Sequence, residues 1–119
     1  NLNKKVFLLG HVNNVYEYMK NSTIFVLSSL WEEVGFVIVE AALSNVFIIS
    51  SNCPNGPAEF LDYGKNGILF NSNESDALFN SLNKFMIEKN YFYKKVNAKK
   101  SSLKYTKLRH YLVLKNILK

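Results

Sequence analysis

The chain has 119 residues, 48% of them hydrophobic, which is enough to bury the core of one domain or part of one. No apolar run approaches the roughly 18 residues of a membrane-spanning helix. The single cysteine, Cys53, excludes an internal disulfide and a cysteine zinc cluster and suits a reducing compartment. The net charge of +6 is uneven, because residues 1–88 hold five Lys or Arg and nine Asp or Glu, whereas residues 89–119 hold ten basic residues and no acid.

Apolar runs alternate with segments of helical character along the first 90 residues. Continuous or β-branched runs predict strands at 5–10, 23–29, 46–51 and 67–70. Polar caps and helix-ending residues predict helices at 14–22, 35–45, 58–64 and 74–90. Asn13 or Asn14 is expected to cap the first helix, and Asn45 to end the second in the left-handed conformation. The remaining residues are expected to form a basic tail, helical or frayed.

Strands that alternate with helices at this spacing indicate a parallel sheet with helices on both faces. We therefore predict an α/β fold in which right-handed crossovers build a Rossmann-like sheet. Ligands of such sheets bind at the carboxyl ends of the strands, which here are the loops after Gly10, Ser29 and Ser51. Because the sequence does not begin with Met and opens at a predicted strand, we expect it to be part of a longer protein.

The stretch LWEEVGFVIVEAALSN, residues 30–45, places one carboxylate inside an apolar helix. From Phe36 to Leu43 every residue except Glu40 is apolar. A helix that is apolar on all sides is normally buried, and a glutamate in it is costly to desolvate unless something pairs with it. Two interpretations are open at this point: Glu40 pairs with a lysine of the core, or it binds a ligand.

Glu32 and Glu40 lie on either side of the start of this helix. Glu32 is in the loop, and Gly35 and Phe36 open the helix, whose first amides are free donors with positive partial charge. Such amides suit a phosphate or a sugar oxygen, and a glycine lets the ligand approach the backbone. Glu40 lies roughly 7–8 Å further along the helix axis. The two carboxylates can therefore accept hydrogen bonds from two parts of one extended ligand.

These segments resemble the donor-binding domain of retaining glycosyltransferases of the GT-B fold, in the large group called family four or group one. The signature of that group is a glutamate, seven residues, a second glutamate, then small residues and a Gly-x-Pro step. Glu32 and Glu40 match the two glutamates, and GPAEFL and GKNGILF match the segments that follow. The resemblance runs from about residue 6 to residue 70. It implies that the chain is part of the C-terminal domain of a GT-B protein.

The resemblance implies roles for single residues in binding a nucleotide-sugar donor. Glu32 would take part in catalysis by holding the hydroxyls of the donor sugar, and Glu40 would bind the ribose hydroxyls. The backbone amides of Val34, Gly35 and Phe36 would face the sugar and the diphosphate.

The loop after the first predicted strand would contribute Val12 and Asn14, which match a segment that meets the nucleotide base. Members of the group are similar in needing no metal ion, because cationic side chains and amides neutralise the leaving diphosphate. We therefore expect no metal site and no cofactor, since the nucleotide-sugar is a substrate.

The sequence departs from the group at several points. Glu33 stands where the group has a glycine after the first glutamate, and residues 45–47 replace the Gly-x-Pro step. The Arg and Lys that clamp the diphosphate in this group, and its acceptor-binding domain, have no counterpart in the 119 residues. We therefore expect the chain by itself to be inactive as a transferase.

Three side chains near the predicted site are assigned no chemical role. Trp31 is expected to pack rather than to stack on a ligand, and Glu33 is expected to be solvated. Cys53 is expected to be a small residue of a loop or of the core, because no His–acid pattern that would activate a nucleophile accompanies it.

We predict a nucleotide-sugar-binding domain over residues 1–88 and a basic helical tail over residues 89–119. The predicted function is sugar transfer from a nucleotide-sugar, with a UDP-sugar favoured, to a cell-surface glycan or lipid-linked acceptor. The predicted location is the cytoplasm, with an anionic membrane surface as a partner at the inner face and no nucleic acid. Two alternatives stay open: a GT-B epimerase-like protein, and a nucleic-acid-binding module in which the aromatic residues of the tail interleave with its lysines.

Overall fold

The structure, a computed structural model, describes residues 4–33 and 35–118. Three short parallel strands form one sheet: β1 Ile24–Leu27, β2 Phe47–Ser51 and β3 Ile68–Phe70. The order across the sheet is β1-β2-β3, and Ile49 of the middle strand lies opposite Val26 on one side and Ile68 on the other. The predicted parallel sheet is confirmed for the second, third and fourth predicted strands.

Six α-helices accompany the sheet in the described part of the chain. They are α1 Val15–Asn21, α2 Phe36–Leu43, α3 Pro57–Phe60, α4 Ala77–Ile87, α5 Tyr91–Ser102 and α6 Lys107–Ile117, with a short 3-10 helix at Leu103–Tyr105. The four predicted helices are present, each shorter than predicted, and the tail is helical rather than frayed. Asn14 holds the cap position of α1, although its side chain accepts no capping hydrogen bond.

The middle strand is buried on both faces because its residues alternate between two hydrophobic clusters. Ile48 packs in one cluster with Ile38 of α2 and Ala98 of α5. Phe47 and Ile49 belong to the other cluster, which α4 covers through its residues Leu78, Leu82 and Phe85. Helices therefore lie on both faces of the sheet, as the alternating pattern predicts.

The end of α2 follows the prediction made for Asn45. This residue is left-handed, with a φ of 61°. Its amide donates to the Ala42 carbonyl at 3.0 Å, and the Val46 amide donates to the Ala41 carbonyl at 3.4 Å. This pair of bonds is the Schellman ending of a helix, in which Asn is the usual substitute for Gly. The departure from the Gly-x-Pro step therefore leaves the turn from α2 into β2 intact.

The strand predicted at 5–10 is wrong for this structure. Residues 6–10 pair with no strand among the described residues, and β1 is an edge of the sheet. The apolar side chains of this segment are exposed, Leu8 to 97%. An apolar run indicates a preference for burial, but a strand also needs a neighbour whose backbone groups it can pair with.

The tail packs partly back on the domain. Ala98 and Ser102 of α5 are buried, and α5 contacts α2. In contrast, no residue of α6 is buried, and its apolar side chains face outward, Leu108 to 68% and Ile117 to 71%. Within the described residues, none of the helices has the length and apolar character that crossing a lipid bilayer requires.

Candidate functional site

Two loops leave the carboxyl ends of β1 and β2 side by side. Residues 28–35 follow β1 and lead into α2, and residues 52–56 follow β2 and lead into α3. Neighbouring parallel strands end at the same edge of a sheet, which is where ligands of such folds bind. Glu32 and Gly35 lie in the first of these loops. Val34, the third predicted residue of this loop, lies outside the described residues.

Glu32 is held in place by two serines that no sequence pattern singled out. Ser51 is fully buried at the end of β2, and its hydroxyl donates a hydrogen bond of 2.5 Å to the Ser29 carbonyl oxygen. The Ser29 hydroxyl donates in turn to Oε1 of Glu32, also at 2.5 Å. These two bonds tie the loop after β1 to the end of β2. They fix one carboxylate oxygen of Glu32 and leave the other able to accept further hydrogen bonds.

Gly35 makes the sharp entry into α2 possible. Its φ of 63° and ψ of 43° lie in the left-handed region, where glycine has no steric cost. Its carbonyl accepts a hydrogen bond of 2.9 Å from the Ile38 amide, which closes the first turn of the helix. The amides that precede Ile38, beginning with that of Phe36, have no acceptor one turn earlier in the helix. The structure thus places Gly35 and Phe36 at a helix N-terminus next to Glu32.

Glu40 is half-buried on α2 and lies beside Tyr16 of α1. The pKa of Tyr16 is raised above its ordinary value, first by partial desolvation and then by the negative charge of Glu40 and the hydrogen bond to it. The phenol therefore keeps its proton and stays a donor.

The lysine considered as a partner of Glu40 is not found in the described part of the chain. Two ion pairs form there, Lys65 with Asp62 at 3.1 Å and Lys94 with Glu88 at 2.9 Å. Neither involves Glu40, so its neighbour is a neutral phenol instead of a cation. A neutral donor leaves the negative charge in place, and the carboxylate keeps lone pairs with which to accept hydrogen bonds from a ligand.

Val12 and Asn14 lie just before α1. Val12 is half-buried, and Asn14 is exposed at the cap position of the helix. Since Tyr16 is only two residues further on, both lie near the end of α1 that contacts Glu40. Their contact with a nucleotide base stays a prediction.

A cavity of about 200 Å³ lies where the two loops meet α3 and the tail. The rings of Phe60 and Tyr105 pack there with their centroids 5.9 Å apart. The cavity is lined by Glu33, Asn55, Gly56, Glu59, Phe60 and Tyr105. These residues come from three stretches of the chain that are distant in sequence, so only the folded chain brings them together.

The predictions for the three side chains that were assigned no chemical role had different outcomes. Cys53 is buried directly after β2, and Glu33 is exposed, as predicted. The prediction that Trp31 packs is wrong, because the side chain is 59% exposed. Its loop leaves the sheet edge, so the indole extends away from both hydrophobic clusters.

The sequence and the fold are both similar to those of known proteins. The sequence model of the family described as "Glycosyl transferases group 1" matches residues 1–103. The chain belongs to the group 1 glycosyltransferases. Membership confirms the resemblance seen in the sequence.

Two relatives show how much of a group 1 glycosyltransferase this chain represents. An uncharacterised glycosyltransferase of Methanocaldococcus jannaschii is 35% identical over 70% of this chain and 24% of its own length. The UDP-Gal:alpha-D-GlcNAc-diphosphoundecaprenol alpha-1,3-galactosyltransferase of Escherichia coli is 37% identical over 69% of this chain and 21% of its own. The chain therefore spans about a quarter of the length of the relatives it matches.

The fold is also found in a solved structure. The crystal structure of TarM superposes on 99% of this chain and 24% of its own, with a TM-score of 0.77 and 21% identity. At that identity the likeness concerns the fold alone. It confirms the predicted α/β, Rossmann-like domain of a GT-B protein.

Proposed function

We propose that this chain is the donor-binding part of a retaining glycosyltransferase, which moves a sugar from a nucleotide-sugar to a glycan or a lipid-linked acceptor. The observation that carries the proposal is the placement of Glu32 and Glu40 on either side of the N-terminus of α2. The Glu32 carboxylate accepts a hydrogen bond from the Ser29 hydroxyl, and neither carboxylate is neutralised by a cation of the described residues.

The proposed roles follow from the chemistry of these groups. The unconstrained oxygen of Glu32 accepts hydrogen bonds from hydroxyls of the donor sugar, and Glu40 accepts them from the ribose. The amides of Gly35 and Phe36 at the N-terminus of α2 face the diphosphate in this proposal, and the contact of the Val34 amide stays a prediction. As the sugar leaves, negative charge grows on the diphosphate, and fixed donors there stabilise the transition state. The proposal includes no metal ion.

A UDP-sugar and a lipid-linked acceptor are supported by the relatives. The name of the Escherichia coli relative gives UDP-Gal as its donor and a diphosphoundecaprenol-linked sugar as its acceptor. We extend the same classes of donor and acceptor to the parent protein of this chain. The predicted contact of Val12 and Asn14 with the base is part of this proposal.

The basic tail supports a position at the cytoplasmic face of a membrane. Residues 89–119 carry ten basic residues and no acid. On α6, Lys107, Arg109 and Lys115 are exposed together with apolar side chains such as Leu108 and Ile117. A basic surface of this kind is attracted to anionic lipids, at about 1 kcal/mol for each Lys or Arg near the bilayer.

Two substitutions in the full-length parent protein test the site. Glu40→Gln removes a charged acceptor and is expected to weaken UDP binding by roughly 1.5–3 kcal/mol, measured by calorimetry. Glu32→Ala is expected to lower turnover strongly while it changes the melting temperature little. The matched control is Glu17→Gln, which removes the same charge from the exposed face of α1 and should change neither quantity. Wild-type affinity and turnover in both site variants would contradict the assignment.

A further inference from the structure

A second cavity, of about 440 Å³, adjoins the cavity at the two loops on the side of the tail. The two cavities share Glu59, Phe60 and Tyr105 in their walls, so they are neighbours along the packed pair of rings. The rest of the lining is polar and comes from the connection between α3 and β3, from α5 and from the 3-10 helix: Asp62, Asn66, Ser101 and Lys104. The proposed function uses none of these side chains.

Asn66 brings a polar side chain to this cavity from a buried position. The residue is 8% exposed, and its side-chain amide donates to the Ser101 hydroxyl at 3.4 Å, longer than the roughly 2.7–3.2 Å of most N–H···O hydrogen bonds. An amide has two N–H donors and a carbonyl with two lone pairs, so one long bond leaves most of this capacity unused. In the described part of the chain, no fully buried polar side-chain atom lacks a partner. The unused groups of Asn66 therefore open on the cavity that the residue lines.

The lining of this cavity excludes several classes of ligand. The carboxylates of Glu59 and Asp62 repel a phosphate or a nucleic acid, and the one cation of the lining is Lys104. An apolar ligand would take water from the polar groups without replacing it. A metal ion needs a denser set of ligands, and no three His, Cys, Asp or Glu of the described residues are grouped to hold one.

A sugar fits this lining, because each of its hydroxyls both donates and accepts hydrogen bonds. Glu59 offers acceptors, Lys104 offers donors, and the Asn66 amide offers both. Neither ion pair of the described residues uses Glu59 or Lys104. The ring of Tyr105 is 48% exposed and adds an aromatic face, whose partial negative charge attracts the C–H groups of a sugar ring.

We propose that this cavity is a subsite for a sugar of the acceptor glycan, beyond the unit that receives the transferred sugar. The inference rests on the proposed function, since it takes Glu32 to mark the place of transfer. From Glu33, the next residue along the loop, the two neighbouring cavities lead past the rings of Phe60 and Tyr105 to Asn66. An acceptor that lies along this path contacts the donor-binding domain with more than its terminal sugar.

The test measures saccharide binding and UDP binding to the full-length parent protein separately. The probes are the di- and trisaccharides of N-acetylglucosamine, galactose and glucose, which are screened by ligand-observed NMR, and the one that binds most tightly is titrated. The variants are Glu59→Gln, Lys104→Gln and Asn66→Ala, of which the first two change exposed side chains and should leave the fold intact. The matched controls are Glu17→Gln and Lys100→Gln, which remove the same charges from exposed positions outside both cavities.

Glu59→Gln and Lys104→Gln are each expected to weaken saccharide binding about three- to tenfold, because each removes a charged hydrogen-bond partner at a site that water can reach. Asn66→Ala should weaken it at least as much. The affinity for UDP should stay at the wild-type value in all three variants, whereas Glu40→Gln should weaken UDP binding and leave saccharide binding unchanged. The two controls should behave as wild type.

Failure of this inference is distinguishable from failure of the proposed function. If no saccharide of the panel binds, or if wild type, Glu59→Gln and Lys104→Gln bind it equally, the cavity is not a sugar subsite, and the donor site stands as long as Glu40→Gln weakens UDP binding. If only Asn66→Ala weakens saccharide binding, and UDP affinity and the melting temperature fall with it, Asn66 is a structural residue and the inference is overturned. If UDP does not bind, or binds to Glu40→Gln as to wild type, the proposed function fails and the assignment to an acceptor fails with it.

Discussion

Replacing Ser29 with alanine removes the hydroxyl that fixes one oxygen of Glu32. That hydrogen bond is 2.5 Å long and its acceptor is a carboxylate. Hydrogen bonds to charged groups contribute about 1.5–3 kcal/mol, and the lower end applies here because Glu32 is half-buried and water can replace the donor. If Glu32 must be oriented for sugar transfer, this loss appears in turnover. At about 1.4 kcal/mol for each factor of ten, kcat should fall roughly tenfold.

The two serines that hold Glu32 should respond differently to substitution. Ser29→Ala leaves the loop backbone in place, so the melting temperature should change little. Ser51→Ala leaves the Ser29 carbonyl oxygen without its donor at a position where Ser51 is fully buried. The Ser29 carbonyl is part-buried, and a hydrogen bond contributes about 0.5–1.5 kcal/mol net, so this variant should lose some stability as well as turnover.

The assay is release of UDP from a UDP-sugar by the full-length parent protein, with kcat and KM measured separately and melting followed in parallel. Ser28→Ala is the matched control, because Ser28 is exposed and adjacent. Ser29→Thr keeps a hydroxyl and should recover part of the activity. Turnover in Ser29→Ala equal to that in Ser28→Ala would refute the role of the hydrogen bond in orienting Glu32.

Two further predictions concern charges outside the site. The pKa of Glu88 is lowered from its ordinary value of 4.5, first by its hydrogen bond with Lys94. The pair therefore stabilises the fold at pH values above 4.5, and this stabilisation is lost as the pH falls through the lowered pKa. Lys94→Gln should therefore lower the melting temperature at pH 7, and the difference from wild type should narrow below pH 4.5. The control is Lys65→Gln, which breaks the exposed pair and should change the melting temperature little. A difference between Lys94→Gln and wild type that does not depend on pH would contradict this prediction. The second prediction is that the 119-residue chain sediments with anionic vesicles and is released from them by high salt. Replacing Lys107, Arg109 and Lys115 of α6 with glutamine should weaken this binding. Equal binding to neutral vesicles would exclude an electrostatic contact.

Local sequence patterns could predict much of this fold because they report local physics. The run at 46–51 predicts a strand, and β2 is one, buried along its whole length. The run at 23–29 predicts a buried strand, but β1 is only partly buried because it lies at the edge of the sheet. Asn45 tolerates a left-handed backbone, and it ends α2 in that conformation. The spacing from Glu32 to Glu40 places one carboxylate in a loop and the other on the following helix, and the structure has both there.

Contacts between distant residues could not be read from such patterns. The bond from Ser51 to Ser29 joins residues 22 apart in sequence, and it exists because β1 and β2 are parallel neighbours whose ends coincide. The effect of the Glu40 charge on Tyr16 depends in the same way on how α1 packs against α2. The segment 6–10 shows the converse, since its apolar pattern is strong but it has no pairing partner among the described residues.

Under the proposed function, the neighbours of the two glutamates allow one short helix to contact both the diphosphate and the ribose of the donor. A lysine beside Glu40 would neutralise the charge and compete with ribose hydroxyls for the same lone pairs, whereas the nearby Tyr16 is neutral and leaves the charge. Uncompensated carboxylates also repel a diphosphate, which must therefore lie where donors outnumber acceptors. The left-handed Gly35 creates such a place at the N-terminus of α2, roughly 7–8 Å along the axis from Glu40. The helix between them is apolar, so its own side chains do not compete for either group, and under the proposed function the diphosphate and the ribose occupy separate positions along α2.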